Sequence, residues 1–318
     1  MYSQHAAPPS LYSPDDVYRD PYAARMSAFL QAGLTAGLQL AREDTQTTAL
    51  VLVDYQHDFI HPMGTLAVPG ARDDVARLLS WFYANAGAIT HIYASLDTHL
   101  PSHIFYSAWW IDPRTGAHPD PFTTITVEDV EERRWTPVTQ AEWSERYVRL
   151  LRRDSKKDLM IWPPHTMDGT AGHSLAPALS EAIAWHSAAR RVQPTYLSKG
   201  RTERTEFYGI FGAEIPDPDD PASGLNTRLM DAVMSHDRVY LAGEAKSHCV
   251  LETLRQLSAR YSDQPETLRR LYVLADCMSS VAHPVIDFDA LANTTLDEMR
   301  QRGVRIVSSA DAVGGSHG

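Results

Sequence analysis

Cysteine, positive charge and long apolar runs are all scarce in this chain of 318 residues. Its two cysteines, Cys249 and Cys277, are too few for a disulfide scaffold and predict a reducing compartment. The chain has 29 basic and 40 acidic residues, which gives a net charge of −11. It therefore lacks the excess of positive charge that is typical of proteins that bind nucleic acid or an anionic membrane. No apolar run approaches the roughly 20 residues of a membrane span, and the first residues lack the pattern of a signal peptide. We therefore expect a cytoplasmic protein whose partner is a small molecule, with no nucleic acid and no membrane.

The overall composition is that of an ordinary globular protein. Hydrophobic residues make up 43% of the chain and charged residues 22%, which excludes extensive disorder. At roughly 150 residues per domain, the length allows one large domain or two small ones. Residues 1–47 form a segment of their own, with a Pro-, Ser- and Tyr-rich arm followed by a helical pattern over 23–42. We expect the arm to lie on the body of the protein or on a neighbouring subunit.

Short β-rich apolar runs alternate with helical patterns along the rest of the chain. The predicted strands lie at 48–54, 89–96, 158–162, 238–242, 271–275 and 304–308. The predicted helices lie at 73–86, 142–152, 175–188, 225–235, 249–261 and 288–302. This alternation is typical of a parallel sheet covered on both faces, so we expect an α/β protein with three α/β/α layers and about six strands. Residues 104–157 and 201–223 fit the alternation poorly and are predicted to be excursions from the sheet.

Polar residues that follow the strands are the first candidates for a site, because open parallel sheets bind ligands beyond the carboxyl ends of their strands. Asp54 ends the first strand, where burial would raise the pKa of a carboxylate and suit it to proton transfer. It could equally cap the following turn. Lys199 precedes Gly200 after a short apolar segment, and it would be an ordinary surface charge unless it meets Asp54 and Cys249.

One aspartate and several histidines follow two other predicted strands. Asp97 and His99 form an Asp-x-His pair with His103 close by in sequence, and His165 stands after the strand at 158–162. Carboxylate and imidazole ligands suit Zn²⁺, Fe²⁺ or Mn²⁺. The chain has 14 histidines, so chance pairs are common, and taken alone these residues are more simply explained as loop hydrogen-bonding groups.

Cys249 follows a predicted strand and a short loop, close to the start of a helix. The backbone N–H groups at a helix N-terminus favour a thiolate and could also hold an oxyanion. A lone cysteine is more often a small buried hydrophobe, and we assign that packing role to Cys277, which also follows a strand.

Five separate stretches of the chain match one family in the same order. They are VDYQHDF with its downstream GTLAVPG, LDTH, WPPHTMDGT, SKG and AGEAKSHCV, and they span most of residues 48–309. In these motifs the chain resembles the nicotinamidase and isochorismatase-like cysteine hydrolases. The resemblance implies the isochorismatase-like hydrolase fold. Because the residues of one site run from Asp54 to Cys249, we expect a single hydrolase domain over 48–318, with an insert at about 104–157.

The resemblance implies a catalytic triad with one position for each member. Cys249 would be the nucleophile, Asp54 the base that takes its proton, and Lys199 the cation that stabilises the thiolate. The backbone N–H groups of Cys249 and Ala245 would form the oxyanion hole. The family also implies a cis peptide bond in this loop, between Glu244 and Ala245.

The resemblance further implies a metal site and a pocket for an aromatic ring. The metal ligands would be Asp97, His99 and His165, with His103 as a candidate further ligand; Zn²⁺ is the first expectation, and Fe²⁺ or Mn²⁺ are alternatives. Phe59 and Trp162 match the positions that sandwich the substrate ring. Members of the family commonly associate, so we expect a homo-oligomer.

The implied activity is hydrolysis of a small carboxamide through a thioester on Cys249, with nicotinamide, which would give nicotinate and ammonia, as the first substrate to test. Three alternatives stay open. The triad could act on an N-carbamoyl or ureido compound, the scaffold could bind a metabolite without turnover, or a metal-bound hydroxide could be the attacking group.

Overall fold

The computed structural model describes residues 7–19 and 25–314. Residues 1–6 and 20–24 of the predicted arm and helix, and residues 315–318 at the end of the predicted domain, lie outside the described residues.

Ten strands and ten α-helices make up the regular structure of the described residues. The strands are β1 (Thr48–Val53), β2 (His91–Asp97), β3 (Trp110–Ile111), β4 (Thr124–Ile125), β5 (Thr136–Pro137), β6 (Leu159–Met160), β7 (Thr195–Lys199), β8 (Arg238–Gly243), β9 (Leu271–Leu274) and β10 (Arg305–Val307). The helices are α1 (Met26–Leu34), α2 (His57–Ile60), α3 (Ala71–Asn85), α4 (Val127–Glu131), α5 (Ala141–Leu150), α6 (Pro177–Arg190), α7 (Thr227–Met234), α8 (Leu251–Arg260), α9 (Pro265–Leu268) and α10 (Phe288–Gln301). Within the described residues, no helix combines the length and apolarity that a membrane crossing requires.

Six of the strands form one parallel sheet in the order β10-β9-β8-β1-β2-β7. Helices α3 and α6 pack together, as do α8 and α10, and right-handed connections place these pairs on opposite faces of the sheet. All six residues of β1 are buried, as expected of a strand covered on both sides. The predicted three-layer α/β/α architecture is confirmed. Strand order reverses between β1 and β8, which opens a crevice beyond their carboxyl ends.

One predicted strand of the central sheet was wrong, and one strand was missed. Within 158–162 only β6 is extended, and it pairs antiparallel with β4 outside the central sheet. The sixth strand of the sheet is β7, which pairs with β2 at the edge. Strand β7 lies at the edge of the sheet, and its residue Tyr196 is 51% exposed. An edge strand needs no continuous apolar run, so β7 gives only a weak signal in the sequence.

Residues 104–157 leave the sheet and build a small subassembly beside it. All six strands of the central sheet lie outside this segment. The segment contains α4, α5 and the short antiparallel pair of β3 and β5, and its strand β4 pairs with β6. Helix α5 buries Trp143 and Tyr147 on one face, because residues four positions apart lie on the same side of a helix.

The N-terminal segment docks on the body of its own chain. The helical pattern expected over 23–42 forms only α1, which ends before Gly37, a residue with a positive φ of 68°. Helix α1 packs against α6, and the buried Glu181 of α6 accepts hydrogen bonds from the guanidinium of Arg19 and, at 2.8 Å, from the backbone N–H of Arg25.

The replacement Glu181→Gln tests this anchor. Burial opposes ionisation of Glu181, but Arg19 and Arg25 lower its pKa below the ordinary 4.5. Because the pKa of Glu181 is lower in the folded than in the unfolded chain, its carboxylate stabilises the fold at pH values above the unfolded pKa. This stabilisation is lost as the pH falls through the folded pKa. We therefore expect the variant to lose about 1–3 kcal/mol of unfolding free energy at pH 7 in urea titrations, and progressively less towards pH 3.

The matched control is Glu266→Gln, because Glu266 is 76% exposed in its ion pair with Arg269. We expect this control to change the unfolding free energy by less than about 0.5 kcal/mol. Equal losses in the two variants, or a loss for Glu181→Gln that does not depend on pH, would show that the anchor is not electrostatic.

Candidate active site

Four adjacent strands bring the predicted catalytic residues to one edge of the sheet. Asp54 directly follows β1, Asp97 ends β2, Lys199 ends β7, and Cys249 lies in the turn after β8. These strands are parallel and lie in the order β8-β1-β2-β7, so their carboxyl ends meet at the crevice. All four side chains are buried, and none is more than 5% exposed.

The ammonium group of Lys199 is the centre of this cluster. Its Nζ lies 3.0 Å from Oδ2 of Asp54 and 2.8 Å from Oδ1 of Asp97. The same nitrogen donates to the backbone carbonyl of Phe207 at 2.8 Å and lies 3.8 Å from Sγ of Cys249. The structure thus brings together the thiol, the carboxylate and the cation that the sequence pointed to.

Burial and charge together set the protonation of the cluster. Burial lowers the pKa of Lys199, but Asp54 and Asp97 outweigh it and raise that pKa well above its usual range. Burial also raises the pKa of Asp54 and, well above its usual range, the pKa of the Cys249 thiol, while Lys199 opposes both shifts. The thiolate that the sequence pattern favours at this position stays a prediction. Cys249 sits in a wide turn over Lys246–Val250, before α8 begins.

Two residues of the site have left-handed backbone conformations. Asp54 has a φ of 52° and Ala245 a φ of 54°, and such conformations cost non-glycine residues of order 1–3 kcal/mol each. The hydroxyl of Ser95 holds Asp54 from two sides, donating to its Oδ1 at 2.5 Å and accepting its backbone N–H at 3.1 Å. Strain of this kind is typical of functional sites.

The expected cis peptide bond between Glu244 and Ala245 is not present. Every peptide bond of the described residues is trans, and the left-handed Ala245 reverses the chain instead. The tight approach is made possible by Gly243, because a Cβ there would lie 2.4 Å from the Cβ of Val53. With this turn, Ala245 and Cys249 both line the cavity described below.

Other residues of the VDYQHDF motif position the neighbouring loops. The side-chain amide of Gln56 bonds both the backbone N–H and the backbone carbonyl of Asp97, each at 2.7 Å. Asp58 accepts the backbone N–H of Thr166 at 2.7 Å and so fixes the loop that carries His165. Sequence reasoning missed these two roles, although both residues lie inside a motif that it singled out.

Asp97, His99 and His165 form a compact group of metal-ligand atoms. Their three ligand atoms lie within 4.8 Å of one another, and all three residues are buried. Nδ1 of His165 lies 2.7 Å from the carbonyl of Pro163, and Nδ1 of His99 lies 3.3 Å from the carbonyl of Gly200. The Nε2 atoms of His99 and His165 face Oδ2 of Asp97 at 2.9 Å and 3.6 Å. With the proton on Nδ1, where the carbonyl accepts it, each Nε2 would offer its lone pair to a metal. This donor set fits a divalent ion.

Gly200 is needed for the packing of this group. It has a positive φ of 81°, and a Cβ at this position would lie 2.9 Å from Cε1 of His99 and 3.0 Å from Oδ1 of Asp97. The glycine that follows Lys199 therefore lets two metal-ligating residues approach the backbone of the lysine strand.

His103 lies beside the metal group but is not part of it. The three-residue group found among the described residues does not include His103, whose ring centroid is 4.9 Å from that of His99. Its ring stacks on Phe105 at 4.5 Å, and burial lowers its pKa to about 2. The structure thus places this candidate further ligand next to the three-residue group, with both ring nitrogens buried and without a hydrogen-bond partner among the described residues.

A small cavity lies directly beside Cys249. The predicted ring-binding residues Phe59 and Trp162 both line it, together with Tyr208 and His248. The ring of His248 lies 5.2 Å from that of Trp162 and 5.1 Å from that of Tyr208, so aromatic surface covers one side of the cavity. An aromatic lining of this kind suits contact with a flat ring.

Glu206 and Tyr208 are lining residues that sequence reasoning missed. They belong to the 201–223 excursion, and the only available signal was their position shortly after Lys199. Burial raises the pKa of Glu206 to about 8, and the Asp97 carboxylate adds to the shift. Glu244, which the sequence places beside the oxyanion loop, is fully buried and is not among the lining residues.

Comparison with known proteins adds evidence of two kinds. No protein-family model matches the chain. A curated nicotinamidase from Saccharomyces cerevisiae is 22% identical over 261 residues, which cover 81% of this chain and 98% of that protein.

Two solved structures share the fold. An Acinetobacter baumanii nicotinamidase and pyrazinamidase superposes with a TM-score of 0.54 at 21% identity, and covers 85% of this chain and 99% of its own. A yeast nicotinamidase gives a TM-score of 0.54 at 18% identity, with 82% and 99% covered. The six-stranded α/β/α architecture is therefore the isochorismatase-like hydrolase fold. The chain is thus similar to the yeast nicotinamidase along nearly the whole length of that protein, and it shares its fold with solved nicotinamidases.

Proposed function

We propose that this protein is an amidase that hydrolyses a small aromatic carboxamide, with nicotinamide as the first substrate to test. The observation that carries the proposal is the contact of one buried ammonium with both carboxylates and the thiol. The Nζ of Lys199 lies 3.0 Å from Asp54 and 3.8 Å from Cys249. Nucleophile, base and cation are the three groups that covalent attack on an amide requires.

The first half-reaction begins with a proton shift inside the cluster. The thiol proton of Cys249 passes to Asp54, so a negative charge moves from one buried group to another and the net charge of the cluster is unchanged. The raised pKa of Asp54 makes this carboxylate a stronger base, and Lys199 stabilises the thiolate. The thiolate attacks the amide carbon, and the backbone N–H groups of Ala245 and Cys249 receive the oxyanion.

The second half-reaction returns the cluster to its starting state. Asp54 gives its proton to the leaving nitrogen, and ammonia departs from a thioester on Cys249. Water then enters and loses a proton to Asp54 as it attacks the thioester carbon. Cleavage of the carbon–sulfur bond releases the carboxylic acid, and Asp54 re-protonates the thiolate.

The cavity and its metal group would orient the substrate. Phe59 and Trp162 would hold the two faces of the ring beside Cys249. Asp97, His99 and His165 would hold one divalent ion, with Zn²⁺ as first expectation and Fe²⁺ or Mn²⁺ as alternatives. Such an ion would supply a Lewis-acid contact for a ring nitrogen of the substrate, while the attacking group remains the thiol.

Other expectations from the sequence stay predictions. A homo-oligomer, a cytoplasmic location and the lack of a nucleic-acid or membrane partner all belong to this group. So does the division into residues 1–47 and a hydrolase domain over 48–318.

The first experiment measures ammonia release from nicotinamide and pyrazinamide by the native protein and by Cys249→Ala. We expect the variant to lose activity by at least about 10⁴-fold, because no other group can form the thioester. Cys277→Ala is the control, and it should keep nearly native activity because Cys277 does not line the cavity. Equal rates of ammonia release by the native protein and Cys249→Ala would contradict the thiol mechanism. Turnover of N-carbamoyl or ureido compounds with none of nicotinamide would change the substrate and keep the triad.

The second experiment measures zinc affinity by competition with a chromogenic chelator. We expect His165→Ala to bind Zn²⁺ at least about 100-fold more weakly than the native protein, because it removes one of three ligands. His103→Gln is the matched control and should stay within about 3-fold, since His103 lies outside the group.

The same chelated samples separate positioning from water activation. We expect alkylation of Cys249 by iodoacetamide to persist after metal removal, while the affinity for nicotinamide falls. Native zinc affinity in His165→Ala, or weaker binding in His103→Gln than in His165→Ala, would contradict the ligand assignment.

A further inference from the structure

The position of Lys199 depends on a segment that has no regular structure of its own. One of the acceptors of its ammonium is the backbone carbonyl of Phe207, at 2.8 Å. Residues 200–208 form neither helix nor strand. The backbone N–H of Phe207 donates to the carboxylate of its neighbour Glu206 at 2.9 Å, so the position of Phe207 also depends on what holds the rest of the segment.

Helix α5 of the 104–157 insert supplies two of them from one face. The indole Nε1 of Trp143 donates to the carbonyl of Arg204 at 2.8 Å. One helical turn later, the hydroxyl of Tyr147 accepts the backbone N–H of Glu206 at 3.0 Å. Tyr147 is fully buried and Glu206 is 5% exposed, so solvent cannot replace this bond when it is lost.

Further contacts of the insert reach both ends of the same segment. The backbone N–H of Ile104 donates to the carbonyl of Glu203, and the side chain of Gln140 donates to the carboxylate of Glu203, each at 2.8 Å. At the other end, the ammonium of Lys157 lies 5.0 Å from the ring centroid of Tyr208, in cation–π geometry. The insert therefore contacts the segment on both sides of the residue that bonds Lys199.

We propose that the 104–157 insert is a positioning scaffold for the catalytic lysine. Through Trp143 and Tyr147, helix α5 fixes the segment whose Phe207 carbonyl orients the ammonium of Lys199 towards Cys249. Tyr147 is a positioning residue in this scheme, because it touches neither the thiol nor the cavity. The inference rests on the proposed function only in assigning Lys199 the activation of Cys249.

The test follows iodoacetamide alkylation of Cys249 across pH by mass spectrometry, in the native protein, Tyr147→Phe and Trp143→Phe. A less well-held ammonium stabilises the thiolate less, so we expect the alkylation midpoint to move to higher pH in both variants. At pH 7 we expect the alkylation rate to fall by roughly 5- to 10-fold, the effect of one buried hydrogen bond. With nicotinamide as substrate, kcat should fall by a similar factor and KM should change less.

Ser144→Ala is the matched control. Ser144 is buried on the same helix, and its hydroxyl accepts the indole N–H of Trp109 at 2.9 Å, away from residues 200–208. Melting temperatures show that each variant is folded, and we expect Ser144→Ala to lower the melting temperature without moving the alkylation midpoint. Unchanged midpoints in Tyr147→Phe and Trp143→Phe, or the same shift in Ser144→Ala, would overturn the scaffold role.

Failure of the proposed function gives a different result. In that case Cys249 of the native protein would react no faster than the buried Cys277, whatever the state of the insert. If Cys249 of the native protein is reactive but its alkylation midpoint is the same in Tyr147→Phe, the proposed triad stands and only the scaffold role of the insert is contradicted.

Discussion

The buried ammonium of Lys199 is the interaction on which the rest of the site depends. Two buried carboxylates, Asp54 and Asp97, lie at the ends of adjacent strands, and without a cation between them their repulsion and desolvation would be costly. The same cation lies 3.8 Å from Sγ of Cys249 and opposes the rise that burial causes in the pKa of that thiol. One side chain therefore neutralises the carboxylates at the ends of adjacent strands and, in the proposed mechanism, prepares the nucleophile. It also couples the metal group to the thiol, because Asp97 contacts Lys199 with one oxygen and the histidines with the other.

The fold makes this arrangement possible by ending four parallel strands at one edge. Hydrogen-bonded strands lie about 5 Å apart, which is the spacing at which side chains at their ends can share a proton or a metal ion. The loops that follow these strands meet in a small area, and this requires unusual backbone conformations. Asp54 and Ala245 adopt left-handed conformations, and Gly200 and Gly243 leave room where any Cβ would collide. The VDYQHDF motif compensates with hydrogen bonds, since Gln56 and Asp58 tie the Asp97 and His165 loops to β1.

The insert at 104–157 changes how such a site is supported. The lysine sits on an edge strand, β7, which has a neighbour on one side only, and the chain after it forms no regular structure. A catalytic cation at that position needs support from outside the sheet. Helix α5 and the residues around it provide that support, and they also fix the wall of the cavity that carries Glu206 and Tyr208. The extra length of this chain thus lies against the part of the site that the sheet holds least firmly.

The sequence by itself determined the layer architecture and singled out the candidate reacting groups. Apolar periodicity is a local property, so alternating strands and helices could be predicted from it, and the ordered motifs singled out Cys249, Asp54, Lys199 and the metal group. Tertiary structure alone decided that β7 replaces 158–162 in the sheet, since an edge strand carries little apolar signal. It also decided that the loop turns on a left-handed Ala245 with trans peptide bonds, and that Cys249 lies in the turn before α8. The entry of Glu206 into the cavity depends on contacts between segments some 60 positions apart, such as Tyr147 with Glu206. No local pattern records such a contact, because it exists only once the two segments are folded against each other.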